Sequence, residues 1–563
     1  MGARSVKSGN TVVRRLFAAV SILAVAFVGI GVAPATAAAP ATHAGGVILP
    51  ARDCSSLVGD YKLKGAKTHV TDADVVEATT SEPKHCNVTG YVDPAVEFNL
   101  KLPMESYKGR YLQFGCGGLC GAISIFGDVF PDCGPAVGDM AVAATNDGHN
   151  APPEGEEDGK WGETNQAARD DWQFRAPHVV SIASKTLIKT YYGKAPKHSY
   201  FSSCSNGGRE GMLLAQRYPH DFDGIVAGAP AAYFGPLAGM HFSWQYKANR
   251  DAQGKEILTY TDLPVLYKAA MAACDRLDGV VDNQIDEPRA CDFDPKVVQC
   301  QGADAPDCLT KAQVDAARKM YAGPSDKYGR RLYPGGQTPG SELSWAPWHI
   351  EIPGVPFLIS RDLGDAYLKY LGYPIGTKHS SVEDIEFTAR ELHRLTPEGA
   401  RGNAVSLNLN AFKRAGGKII FWHGWADPAI PAEGTLDYYQ RLTERNGGLK
   451  ATQKWARTFM IPSLYHCGDG SGLTEFDATK ALTDWVERGD APDRIDAVAR
   501  DADQKVTRTR PVFAYPLRAK YDGSGSVDDP ANFYAAKPAK PMRDKIHWLG
   551  EYLHHVPGPV ARP

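Results

Sequence analysis

Apolar residues follow two rhythms along this chain. From Cys54 to Asn99 they alternate with polar ones at the spacing of short strands. Met140 to Ala144 and Gly224 to Gly228 are unbroken runs of small apolar residues, the pattern of parallel strands buried on both faces. Between them, Arg175 to Tyr192 places Val179, Ile182, Ala183, Leu187 and Ile188 on one side of a helix, with Gly193 as its stop. Ser199 to Ala231 then starts apolar and β-prone (Tyr200, Phe201) and breaks into small residues around Ser205. It resumes as a helix from Arg209 to Tyr218, closed by Pro219. Another buried strand appears at Gly417 to Gly424. Strands and helices in alternation predict an α/β sheet with helices on both faces.

That alternation is lost after about Phe234. Residues 236–405 carry scattered helices, several tryptophans, four cysteines and Pro/Gly-rich turns. They read as a domain inserted between two parts of one α/β domain, residues 45–235 and 406–535. Residues 536–563 form a C-terminal extension, Lys- and Pro-rich before an aromatic end from His547 to His555.

Composition changes this picture little. A chain of 563 residues exceeds one ordinary core, which fits an insertion. With 43% hydrophobic and 23% charged residues it is globular. Its net charge of −3 gives no reason to expect nucleic acid or an anionic membrane as a partner. The first residues matter more. Arg4, Lys7, Arg14 and Arg15 precede an apolar run from Leu16 to Ala33, and Ala35-Thr36-Ala37 follows. We read residues 1–37 as a cleaved signal peptide rather than an anchor, because the run is short for a span and small cleavage-site residues follow it. The protein is then expected outside the cell, with no membrane attachment after cleavage. Export in turn makes the 11 cysteines candidates for bridges. No Cys-x-x-Cys pair exists to suggest structural zinc, and the odd count leaves one thiol over.

Ser205 is the candidate nucleophile. A serine hydroxyl needs a base and an anion site beside it. The strand–turn–helix setting is that of the α/β-hydrolase elbow, usually Gly-x-Ser-x-Gly. Here Ser203 stands in place of the first glycine of that elbow. A plain Ser/Gly turn is the competing reading of the motif alone. The acid and base should follow in chain order. Asp427 emerges directly after the strand at Gly417 to Gly424, and His466 lies in a loop after an apolar stretch. Either could instead be an ordinary loop residue. One coincidence sets them apart: Cys204 precedes Ser205 and Cys467 follows His466. A Cys204–Cys467 bridge would clamp nucleophile and base together and stabilise the fold by on the order of 3–5 kcal/mol. The first anion-site donor should be the backbone N–H of Asn206, the residue after the nucleophile.

The residues SYFSSCSNGGREGMLLAQRYPHDFDGIVAGAPA, HGWADPAIP, MIPSLYHCGDGSG and RPVFAYPLRAKYDGSGSVDDPANF together resemble the tannase and feruloyl esterase family, which includes mono(2-hydroxyethyl) terephthalate hydrolases. The resemblance runs from about Cys54 to about Phe533. It implies an α/β-hydrolase fold with a large inserted lid, and Ser205, Asp427 and His466 as the triad with Cys204 joined to Cys467. It implies Gly117 in the loop Gly115–Gly118 as the second anion-site donor, although Cys116 replaces a glycine common there. It also implies bridges Cys54–Cys86, Cys274–Cys291 and Cys300–Cys308. Cys116, Cys120 and Cys133 are extra to the family pattern; two of them can bridge, and the sequence leaves open which.

In the insertion, Cys274 to Asp286 gathers carboxylates around Gly279. On spacing alone this is a solvated acidic loop and not an EF-hand. The resemblance implies instead a structural Ca²⁺ held by Asp275, Asp278 and Asp282 with the carbonyls of Val280 and Gln284. It further implies hydrolysis of aromatic esters, hydroxycinnamoyl or galloyl, free or linked to polysaccharide or tannin, with phthalate-type monoesters as the alternative. Trp345, Trp348 and Phe357 are candidates to line the acyl pocket. An exported peptidase and a non-catalytic carbohydrate- or surface-binding protein on the same fold are the competing classes.

Overall fold

The computed structural model describes residues 46–80, 82–124, 138–152, 158–501, 503–538, 543–556 and 558. The signal-peptide reading and Cys133 fall outside the described residues. A ten-stranded sheet forms the centre, built from β1 (Gly59–Tyr61), β2 (Thr68–Val76), β3 (His85–Val92), β4 (Val96–Pro103), β5 (Arg110–Phe114), β6 (Met140–Thr145), β7 (His198–Cys204), β8 (Gly224–Gly228), β9 (Lys418–Gly424) and β10 (Ala456–Ile461). Their order across the sheet is β1-β2-β3-β4-β6-β5-β7-β8-β9-β10.

β1 to β4 pair antiparallel, β4 pairs antiparallel with β6, and β5 to β10 are all parallel. The antiparallel strands alternate: β4 reads buried, exposed, buried along Val96–Asn99, its outer face polar. The parallel strands β6 and β8 are buried throughout, because helices cover both faces. The helix Ala176–Tyr192 ends where Gly193 takes φ 71°, a left-handed turn that glycine adopts at no cost. Ten of the eleven cysteines lie among the described residues, and they form five bridges: Cys54–Cys86, Cys116–Cys120, Cys204–Cys467, Cys274–Cys291 and Cys300–Cys308. The open question at the glycine loop is thus answered by Cys116 and Cys120.

Between β8 and β9 the chain adds no strand to the central sheet. Its helices build a small core of their own around Leu258, Leu266, Val314, Met320 and Trp345. Other residues of the same stretch, Leu237, Leu363, Leu371 and Leu395, pack into the main core. The end of the chain joins that core as well. Trp548 packs edge-on against Tyr233 at 5.2 Å, and His554 Nδ1 lies 2.9 Å from the Val405 carbonyl.

Candidate active site

Ser205 sits between β7 and the helix Asn206–Arg217, with φ 64° and ψ −126°. A side chain in that region is strained, and the neighbours must hold it there. They do so through hydrogen bonds: Ser205 N–H donates to the Gly228 carbonyl at 3.0 Å, and its own carbonyl accepts from Arg209 and Ala231, each at 3.1 Å. Close packing adds to this. A Cβ on Gly207 would lie 2.0 Å from Ser203 Oγ, and one on Gly208 would lie 2.3 Å from the Gly228 carbonyl. Ser203, where the usual elbow has glycine, therefore fits because Gly207 opposite it has no side chain.

His466 comes from the loop after β10 and Asp427 from the loop after β9. His466 Nε2 is 2.9 Å from Ser205 Oγ, and His466 Nδ1 is 2.8 Å from Asp427 Oδ2. The sequence motifs are thus brought together in one hydrogen-bonded chain. The Cys204–Cys467 bridge, across 263 residues of sequence, lies beside it with Cα atoms 5.8 Å apart. Asp427 Oδ1 accepts the backbone N–H groups of Ala429 at 2.8 Å and Ile430 at 3.0 Å. Burial pushes the Asp427 carboxyl up, but the His466 and His423 imidazoles overcome this and hold it well below the usual carboxylate range.

His423 was missed in the sequence. Its Nε2 stands 3.2 Å from Asp427 Oδ2 and 2.9 Å from the Ile430 carbonyl, while Nδ1 meets Thr435 Oγ1 at 2.8 Å. The available signal was a histidine on a strand otherwise apolar on both faces, four residues before the acid.

The chain Ser205–His466–Asp427 opens onto a cavity of about 210 Å³. Its walls include Phe234, Leu237, Phe242, Trp348, Leu363 and Ile430, and Gly117, Gly118 and Asn206 lie at its reacting end. Trp348 packs edge-on against His466 at 5.0 Å. Of the three aromatic candidates for this lining, only Trp348 takes part. Trp345 is fully buried in the insertion's own core, edge-on to Tyr321, and Phe357 is half-exposed away from the cavity. The backbone explains the split: Ala346 is extended (φ −97°, ψ 133°), so the two tryptophans do not share a helix face.

The acidic loop of the insertion has the donors a hard cation needs. Asp278 Oδ2, Asp282 Oδ1, Gln284 Oε1 and Asp286 Oδ1 are buried without a partner. Burial, then the neighbouring Asp286 carboxylate, pushes Asp278 up. Asp275 accepts the backbone N–H of Asp282 and of Asn283, each at 3.1 Å, which curls the loop. Asp282 is also ion-paired with buried Arg510. Orphaned buried carboxylate oxygens fit an oxygen-seeking ion, although the loop's carboxylates stand further apart than a closed ligand shell. Among the described residues, the group whose possible ligand atoms all lie within 4.8 Å of one another is Cys116, Cys120 and Asp147. There the sulfurs are joined to each other and offer no thiolate. Asp286 is the acidic residue of this loop that the sequence reading left out of the ligand set.

Comparisons with known proteins point to one family. The family model described as tannase and feruloyl esterase matches residues 79–355 and 380–536. The chain is 32% identical over 569 residues to the mono(2-hydroxyethyl) terephthalate hydrolase of Piscinibacter sakaiensis, covering 85% of this chain and 90% of that one. It is 31% identical over 463 residues to a probable feruloyl esterase of Arthroderma benhamiae, covering 79% and 83%. Among solved structures, feruloyl esterase B from Aspergillus oryzae superposes with a TM-score of 0.71 at 25% identity, covering 84% of this chain and 98% of that one.

Proposed function

The chain belongs to the tannase and feruloyl esterase family, and from that premise we propose an exported serine esterase that hydrolyses aromatic esters, hydroxycinnamoyl or galloyl, through an acyl-enzyme. One observation carries the reading: His466 bridges Ser205 Oγ and Asp427 Oδ2 at 2.9 and 2.8 Å, facing an apolar cavity. Ser205 Oγ attacks the ester carbonyl as its proton passes to His466 Nε2. Asp427 holds the imidazole in the tautomer that can take that proton and stabilises the imidazolium that results. The backbone N–H groups of Asn206 and Gly117 receive the developing oxyanion. The alcohol leaves with the proton from His466, and water then releases the acid by the same steps in reverse. Phe234, beside the lid, and the lid aromatics Phe242 and Trp348 hold the acyl ring.

Away from the chemistry, Asp275, Asp278, Asp282, the carbonyls of Val280 and Gln284, and Asp286 would hold a structural Ca²⁺, which supplies cross-linking charge to the lid. Residues 1–37 would direct export; among the described residues no helix is long and apolar enough to cross a membrane.

A phthalate-type monoester is the second reading, favoured by the relative named for that substrate. The cavity weighs against it. Among the described lining residues there is no lysine or arginine, and a carboxylate entering an apolar wall without a cation is costly. The test is a panel of methyl ferulate, methyl caffeate, methyl gallate and a terephthalate monoester, beside casein. We expect kcat/KM at least about tenfold higher for the uncharged aromatic esters than for the monoester, the scale of one mismatched contact. We also expect fluorophosphonate labelling that Ser205→Ala abolishes. Cleavage of casein without cleavage of esters sinks the reading.

A further inference from the structure

The two halves of the proposed anion site come from different parts of the chain, the helix Asn206–Arg217 and the Gly115–Gly118 turn after β5. Something must fix the distance between them. The Asn206 side chain spans the gap: Nδ2 donates to Glu210 Oε1 at 2.8 Å and to the Cys116 carbonyl at 3.2 Å, while Oδ1 accepts from Arg209 Nε at 2.8 Å. Glu210 lies one turn along the same helix and is buried. Cys116 Sγ, in the turn itself, lies 3.4 Å from Glu210 Oε1. Glu210 fills the space under the turn so closely that a Cβ on Gly115 would lie 2.4 Å from Glu210 Oε2. Glu210 thus touches both halves of the site at once.

Asp147, from the loop after β6, is buried beside Glu210: Cys116 Sγ lies 3.3 Å from Asp147 Oδ2 and 3.4 Å from Glu210 Oε1, and burial, then the nearby Glu210 carboxyl, pushes Asp147 up. Asp147 Oδ1 and Glu210 Oε2 meet no hydrogen-bond partner. One proton held between the carboxyls satisfies both; two negative charges in that space would repel. The charged groups around the pair are few. Arg209, on Glu210's own helix, lowers both carboxyls, but its guanidinium is also held by the carbonyls of Gln173, Gly402 and Trp172. Asp171, from the helical stretch Asp171–Arg175, raises Asp147 and is itself paired with Arg175. His149 stacks on Trp161 at 3.7 Å, and burial holds it neutral with its pKa lowered to about 4.

We propose that Glu210 is a positioning residue of the anion site: with a proton shared between it and Asp147, its carboxyl holds Asn206 and the Cys116–Gly117 turn so that their N–H groups converge on one oxyanion. This rests on the serine-esterase reading. It predicts that losing the shared proton as pH rises separates the two halves and costs turnover while substrate binding persists. Burial pushes both carboxyls up, so the proton is retained into the neutral range.

The test uses the full chain with p-nitrophenyl acetate between about pH 5 and pH 10. Glu210→Ala should lower kcat about 10- to 100-fold, somewhat less than removing an oxyanion donor outright, with KM within about threefold. Glu210→Gln, which keeps an acceptor for Asn206, should recover most of that loss. Asp147→Asn, which cannot ionise, should move the alkaline limb of the kcat profile upward. A wild-type kcat in Glu210→Ala overturns the inference, and so does a loss carried equally by KM, or an alkaline limb that Asp147→Asn leaves in place. Should Glu210→Ala fail to fold, the Asp147→Asn profile decides alone. Ser205→Ala separates the two levels: if it keeps full turnover, the esterase reading falls and this inference with it. If it is inactive while Glu210→Ala is not, the positioning role alone falls.

Discussion

Asp427, behind His466, is a buried carboxylate, and Asp278, in the acidic loop of the insertion, is a half-buried one with its Oδ2 shielded from water. Burial pushes each of them up. Around Asp427 the chain supplies its own compensation: two imidazoles and the N–H groups of Ala429 and Ile430 leave it an ion held by four donors. Around Asp278 the nearest charges are other carboxylates, with Asp286 the strongest, and one of its oxygens has no partner. The first site is complete as folded. In the second, one backbone N–H, from Val280, faces Asp278, and burial and the neighbouring carboxylates favour its protonated form. Burial alone therefore says nothing about the state of a carboxyl; the groups facing it decide.

The sharpest way to break this comparison is Asp427→Asn. The amide keeps the shape but cannot stabilise an imidazolium, and its N–H can turn His466 to the wrong tautomer. We expect kcat to fall about 10³- to 10⁴-fold, the scale seen when a triad acid loses its charge. A loss of only a few-fold would mean that the charge of Asp427 is not what supports His466. The acidic loop should respond in the opposite manner, through stability and not turnover. Chelation should lower Tm while leaving kcat per folded molecule unchanged, and calcium at about 100 times its Kd should restore close to 3 kcal/mol. Asp278→Asn should abolish that calcium response yet leave the chelated protein at least as stable as the wild type, because one repulsive charge is gone. A Tm indifferent to both chelation and Asp278→Asn removes the cation.

How much of this was legible in the sequence follows the same division between local and non-local causes. The elbow at Ser205 could be read because its signals are local: the apolar residues of β7, small residues, and a helix ended by Pro219. Asp427 and His466 could be read because each follows a buried strand, and Cys204 and Cys467 tied the halves together. Glu210 could not. A charged residue on a helix is normally placed facing water, but this helix is covered on every side. His423 was hidden within a strand that reads as core. Trp345 and Trp348 could not be told apart, because the extended backbone at Ala346 cancels the helical period on which the choice depends. The position of β6 between β4 and β5 is likewise a matter of sheet order, which no local pattern records.

Glu342 offers an intermediate case, with the smallest expected effect. It is buried in the insertion, accepting from Tyr321 Oη at 2.6 Å and from the Gly340 N–H at 3.0 and 3.1 Å. Its partners are neutral donors on both oxygens, better than at Asp278, where one oxygen is unpartnered, and weaker than the imidazoles on Asp427. Burial prevails over them and pushes its carboxyl up to about 7. An unfolded glutamate titrates near about 4.3, so the folded form binds its proton more tightly. The stability this contributes is fully present below about pH 4.3 and is lost as pH rises towards 7. Glu342→Gln keeps the acceptor for Tyr321 and removes the titration. Between pH 5 and pH 8 the wild type should therefore lose about 1–3 kcal/mol relative to Glu342→Gln, read as diverging urea midpoints. Parallel midpoints across that range would mean that the two neutral donors suffice to hold a buried carboxylate, and that charge on the partner is not what separates Asp427 from Asp278.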